Sequence, residues 1–192
     1  MQITPKFLTN TLLVLGLAAA SLCAQAESNI NTGATSGLAA SARLNFRVTV
    51  PRVIFLQLGS GTFMADGGTT DNVDWTLTAA NLGTGALNAS TGVVAARVLG
   101  NGGQISLTAN GLAGGPSNGA QVIPWTSFSA TTSLAGLPHP VIGNGAAGTP
   151  TLLSATNNVV NLSANWTFSY SNAAPIASGT YTGGVTYTAA LP

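Results

Sequence analysis

The chain has 192 residues, with five lysines and arginines against four aspartates and glutamates, one histidine and a formal net charge of +1. Charged side chains make up 5% of it, against roughly 25% in ordinary soluble domains, while hydrophobic residues at 45% are ordinary. Disorder driven by charge and a basic surface for nucleic acid are both excluded.

The first ten residues carry one charge, Lys6, and Leu12 to Leu22 is apolar or small throughout. Ala24-Gln25-Ala26 follows as a small-x-small cleavage site, so residues 1–26 read as a secretory signal peptide, too short for a permanent membrane anchor. Cys23 is the only cysteine and lies inside this segment, where Leu22 ahead of it suits a lipoprotein site poorly. The exported chain is therefore expected to have no disulfide and to be held by packing and hydrogen bonds alone. Its charges balance: Arg43, Arg47, Arg52 and Arg97 against Glu27, Asp66, Asp71 and Asp74. The surface must be built from Thr, Ser, Asn, Gln and Gly, with little repulsion to keep copies apart, which suits an assembly.

Residues 27–41 are rich in small and polar residues, with Ile30 and Leu38 the only large apolar ones, and read as a flexible extension ahead of one domain over 42–192. Over 42–50 the pattern alternates: Ala42, Leu44, Phe46, Val48 and Val50 against Arg43, Asn45, Arg47 and Thr49, a strand with two unlike faces. Pro51 interrupts it. Residues 52–58 form an apolar run ended by Gly59 and predict a strand buried on both faces. Val73, Trp75 and Leu77 mark a short strand over 73–78, and 79–92 reads as loop. Strands over 93–99 and 104–109 flank Gly100-Asn101-Gly102-Gly103, the strongest hairpin signal in the chain.

Residues 122–129, with Pro124, predict an edge strand, 138–142 a short extended piece and 152–154 a brief pairing segment. Two alternating runs close the chain. Val160, Leu162, Ala164, Trp166, Phe168 and Tyr170 share one face of the first; Tyr181, Val185, Tyr187 and Ala189 share one face of the second. No helical periodicity is sustained after residue 26. With 24 glycines and frequent turn signals, seven to nine short strands predict an all-β sandwich of two sheets, immunoglobulin-like or jelly-roll in topology.

Chemistry is scarce. Acid–base or nucleophilic catalysis needs a histidine, a carboxylate pair, a lysine or a thiolate beside a partner, and His139 stands alone between Pro138 and Pro140. The expectation is a non-enzyme with no cofactor and no zinc. Asp66, Asp71 and Asp74, with Asn72, could offer oxygen to calcium, but their spacing is not that of a calcium loop and ordinary turn roles are expected. Arg43 and Arg47 read as charges that protect a strand edge, or as contacts for a partner's carboxylate. Trp75, Trp125 and Trp166 read as core rather than as a platform for a sugar.

The segments Leu44-Asn-Phe-Arg-Val-Thr-Val-Pro-Arg-Val-Ile-Phe-Leu-Gln-Leu58, Leu137-Pro-His-Pro140, Asn165-Trp-Thr-Phe-Ser-Tyr170 and Ala177-Ser-Gly-Thr-Tyr-Thr-Gly-Gly-Val-Thr-Tyr-Thr188 resemble subunits of bacterial chaperone–usher pili. They are closest to the spore-coat-U-like secreted proteins, though this chain lacks the disulfide common in pilins. The resemblance implies an incomplete immunoglobulin-like sandwich completed by a donor strand from a neighbouring copy. It also implies a periplasmic chaperone and an outer-membrane usher as partners, a fimbria at the cell surface, and adhesion to host or abiotic surfaces. Leu44, Phe46, Val48 and Val50 are the donor candidates, unless 42–50 is the domain's own first strand. The residues between 29 and 41 are well placed but make a poor zipper. Trp166, Phe168, Tyr170, Tyr181, Val185 and Tyr187 are the candidates for core and groove. A secreted carbohydrate-binding or adhesin sandwich that does not polymerise, using Trp75 or Trp125, is the alternative.

Overall fold

The computed structural model describes residues 27–33 and 36–192; the signal peptide expected over 1–26 lies outside them. The chain divides between Val50 and Pro51. In the first unit, residues 36–50 form no strand pairing, and Leu44, Phe46, Val48 and Val50 are 71%, 86%, 85% and 71% exposed. The expected alternation is present in the sequence, and none of these residues joins a strand ladder. Within this unit Arg43 makes a forked pair with Glu27, at 2.8 and 3.2 Å, on the surface.

The second unit is an all-β sandwich. Its described residues form eight strands: β1 (Ile54–Leu58), β2 (Ala86–Gly100), β3 (Ile105–Gly111), β4 (Phe128–Thr132), β5 (Ile142–Asn144), β6 (Thr151–Leu153), β7 (Val160–Ser171) and β8 (Val185–Ala190). One sheet has the order β1-β2-β7-β4, antiparallel throughout. In the other, β3 is central. It pairs with β8 over Ser106–Gly111, with β6 over Ile105–Leu107 and with β5, in parallel, over Ala109–Gly111. A strand has two edges, so β5 and β6 lie end to end along one edge of β3 and β8 takes the other.

Inward positions of both sheets meet in one core: Ala96, Val98, Val160, Ala164, Trp166 and Phe168 from the first, Ile105, Leu107 and Leu153 from the second. Period-two patterning places them there. Along β7 the buried residues are those of the even register and the outward ones are Asn161, Ser163, Asn165 and Ser169. Leu137, fully buried, pins the loop before β5 on top of this core, its carbonyl accepting from Trp166 Nε1 (3.1 Å) and from Thr132 Oγ1 (2.9 Å).

Several expectations are corrected. Gly100-Asn101-Gly102-Gly103 is not a hairpin: β2 and β3 lie in different sheets, and the segment is the corner where the chain crosses. Asn101 fixes that corner at long range, donating from its amide nitrogen to the Pro51 carbonyl (2.7 Å) and accepting from Val53 N–H (2.7 Å). Gly103 has φ +110°, a conformation that glycine supplies without strain. β1 is half-exposed rather than buried on both faces, because it lies at a sheet edge and pairs with β2 alone.

The loop expected over 79–92 ends earlier, since β2 begins at Ala86; a break in its register with β7 between Asn88 and Val93 hides the strand's start. Val73 and Trp75 do pack against the core and Leu77 is half-buried, but without a ladder. The edge strand expected over 122–129 is a 3₁₀ turn, Trp125–Ser127, followed by β4. Tyr181 lies before β8 and not in it, its hydroxyl donating to the Ala177 carbonyl (3.0 Å).

Candidate functional site: the free edge of β8

Chain order and sheet order together define the frame. Leaving aside β5 and β6, the strands in sequence are β1, β2, β3, β4, β7 and β8. The first sheet holds the first, second, fifth and fourth of these, and the second sheet holds the third and sixth. That is the immunoglobulin arrangement, in which a seventh strand lies beside the sixth. Among the described residues none occupies that place: β8 pairs with β3 and with nothing along its other edge.

The surroundings of that edge are apolar and incompletely covered. Val185, Tyr187 and Ala189 face inward from β8 and are only half-buried. Leu191 beyond them, and Leu56 and Leu58 of β1 on the opposing sheet, also pack against the core without being enclosed by it. β1 and β8 are neighbours across the sandwich, so its two sheets have their free edges on the same flank. Backbone groups along an unpaired edge are hydrogen-bonding sites that a further strand can use.

Of the six groove and core candidates, Trp166, Phe168 and Tyr170 are buried in β7 at 0%, 7% and 4% exposure. Val185 and Tyr187 lie on the half-buried inner face of β8, and Tyr181 lies outside it. The structure therefore separates a closed core from an open flank that sequence periodicity alone joins together.

Sequence reasoning missed the role of His139. Its ring packs edge-on against Trp166 (4.8 Å between centroids), Phe168 (5.1 Å) and Tyr187 (5.5 Å), and Nε2 lies 2.7 Å from the Tyr187 hydroxyl. Burial pushes its pKa down to about 4, partly opposed by a hydrogen bond to the Pro140 backbone. Proline has no N–H, so the tautomer that fits this neighbour carries its proton on Nδ1 and leaves Nε2 to accept from the Tyr187 hydroxyl. Burial likewise pushes the Tyr187 hydroxyl up. The available signal was a proline-flanked histidine and an inward tyrosine, but nothing local joins residues 48 positions apart.

Trp75 and Trp125 are fixed, donating to the Leu87 (3.1 Å) and Leu112 (2.7 Å) carbonyls and both packing on Phe128. Trp125 lies against Gly111, where an added Cβ would be 2.4 Å from the indole. Asp71 accepts from the Ser60 N–H and hydroxyl, which hold its carboxyl below the usual range, and the Asp74 carbonyl accepts from Ser90. Among the described residues no three His, Cys, Asp or Glu side chains gather in a metal-binding cluster.

The class these observations define is an all-β, immunoglobulin-like sandwich in which, among the described residues, nothing pairs with the outer edge of β8. Compared with known proteins, the chain matches no family model, no curated protein and no solved structure.

Proposed function

We propose that the chain is a non-enzymatic structural subunit of an extracellular fimbria, assembling by donor-strand complementation. Residues 42–50 of one copy add to the free edge of β8 in the next. The observation that carries this reading is the vacant seventh place beside β8 in an otherwise immunoglobulin-like strand order. Supporting it, the same chain holds an alternating segment whose apolar residues, Leu44, Phe46, Val48 and Val50, are all exposed. A strand added at an edge gains main-chain hydrogen bonds, and alternate side chains enter the gap between the sheets.

Burying four such side chains at roughly 1.5–3 kcal/mol each gives on the order of 6–12 kcal/mol before ordering costs, enough for a persistent fibre. Until a donor arrives, the open flank needs cover, which is the role proposed for a periplasmic chaperone before hand-over to an outer-membrane usher. The near-absence of charge fits close stacking of copies, and the finished fibre would mediate adhesion or biofilm formation.

Removing residues 27–50 while retaining the export signal is expected to abolish filaments seen by electron microscopy and to leave secreted monomer. Filaments that persist without this segment would sink the proposal.

A further inference from the structure

We propose that His139 and Tyr187 form an acid-released latch on the edge strand β8: protonating the imidazole removes the acceptor for the tyrosine hydroxyl and loosens β8 from the core. The latch does not depend on whether the chain polymerises.

The geometry is that of a single polar tie in an aromatic bed. Tyr187 projects inward from β8, and its hydroxyl meets Nε2 of a ring held between two prolines and packed on Trp166 and Phe168 of the opposing sheet. His139 therefore bridges the two sheets through β8, a strand with one partner in its own sheet. Protonated, Nε2 becomes a donor facing a hydroxyl that was donating to it, and a charge stands in a largely apolar bed.

Among the described residues, none packed round the ring can neutralise that charge. The elements packed round the ring offer Trp166 and Phe168 from β7, Tyr187 from β8, and Pro140 from its own loop. Tyr187 is the only titratable one. From Val98 to Pro192 the sequence contains no Asp, Glu, Lys or Arg at all. Arg97, the last charged residue, stacks 3.7 Å over Phe63, and its partner Gln57 in β1 faces away from the core. Protons have a route in: a cleft of roughly 260 Å³ lined by His139, Phe168, Phe128 and Trp125 opens to solvent.

The sign follows from the burial-depressed pKa. An unfolded or released histidine takes up its proton below about pH 6.5, whereas in place the ring does so only near pH 4. Neutral His139 thus favours the latched form above pH 6.5, and the preference is lost as pH falls from 6.5 towards 4. The difference corresponds to about 300-fold weaker proton affinity in the latched form.

The full-length secreted protein carries this one histidine, so its titration can be followed by mass spectrometry of imidazole C2–H exchange, which works equally on monomer and filament. The expected midpoint is near pH 4. Over the same range, amide protection across Val185–Ala190, corrected for intrinsic rates, is expected to fall at least tenfold more than that of β2 and β7. A midpoint at the ordinary pH 6.5, or β8 protection that falls no faster than the rest, overturns the latch. His139→Gln should abolish the selective loss at β8. If that variant does not fold, Tyr187→Phe decides: loss of the O–H donor should raise the histidine midpoint, and an unchanged midpoint overturns the proposal.

Discussion

Two stretches of this chain carry the same period-two pattern and meet opposite fates. Val160–Ser171 becomes β7, paired on both edges and buried along its even register, while residues 42–50 stay unpaired and exposed. Alternation states that a segment can be half-buried in a sheet; it does not state that the partner belongs to the same chain. β7 finds β2 and β4 within the sandwich. For residues 42–50 the assembly reading assigns the partner to another copy, and a set of substitutions tests how deep the contrast runs.

The largest effect is expected on the buried side. Trp166 is fully enclosed, donates to the Leu137 carbonyl and touches His139 and Tyr187. Trp166→Ala removes the largest side chain of the core and should cost about 3–5 kcal/mol, read as a shift of the urea midpoint of the purified protein. A loss below about 1 kcal/mol would mean that β7's alternation contributes far less to closure than its burial indicates.

An intermediate effect is expected at the point where the two fates divide. Asn101 holds Pro51 and Val53, the residues immediately after Val50, through one donated and one accepted hydrogen bond. Asn101→Ala should cost about 1–3 kcal/mol, because it deletes both ties and leaves their backbone partners to find water. Hydrogen exchange should show β1 loosening before β7. Uniform loosening of the whole sheet would place the division elsewhere.

That residue also shows where sequence reading stops. The all-β class, the faces of β7 and the inward register of β8 were legible, because each follows from alternation within a few residues. The corner at Gly100–Gly103 was not, since its turn chemistry serves a hairpin and a sheet crossing equally well. What separates the two is Asn101 reaching residues 51 and 53, at separations of 50 and 48. The half-exposure of β1 escaped for a similar reason: an apolar run reports side-chain character, and edge position comes from strand order. Of the candidate site, the apolar residues could be named, but the unpaired edge of β8 among the described residues became visible only with the order of both sheets. The His139–Tyr187 pair, assembled from distant loop and strand, left no local pattern.

The smallest effect on stability, and the sharpest test of the contrast, is expected at Phe46. Its ring is 86% exposed and borders no strand ladder. Phe46→Asp should therefore leave the urea midpoint of the monomeric sandwich within about 0.5 kcal/mol of the parent, as for surface substitutions that break no cap, core or network. Assembly should respond differently, since a donated strand would have to carry a carboxylate into an apolar gap, where an unpaired charge is strongly disfavoured. Filament yield is expected to collapse while export and monomer stability hold. A variant that loses stability in the monomer would show residues 42–50 to be part of their own sandwich, and one that still forms filaments would move the donor out of this segment. Because Trp166→Ala is expected to act on the monomer and Phe46→Asp on the polymer alone, measuring both variants in both assays separates an alternating strand that closes its own fold from one that serves another copy.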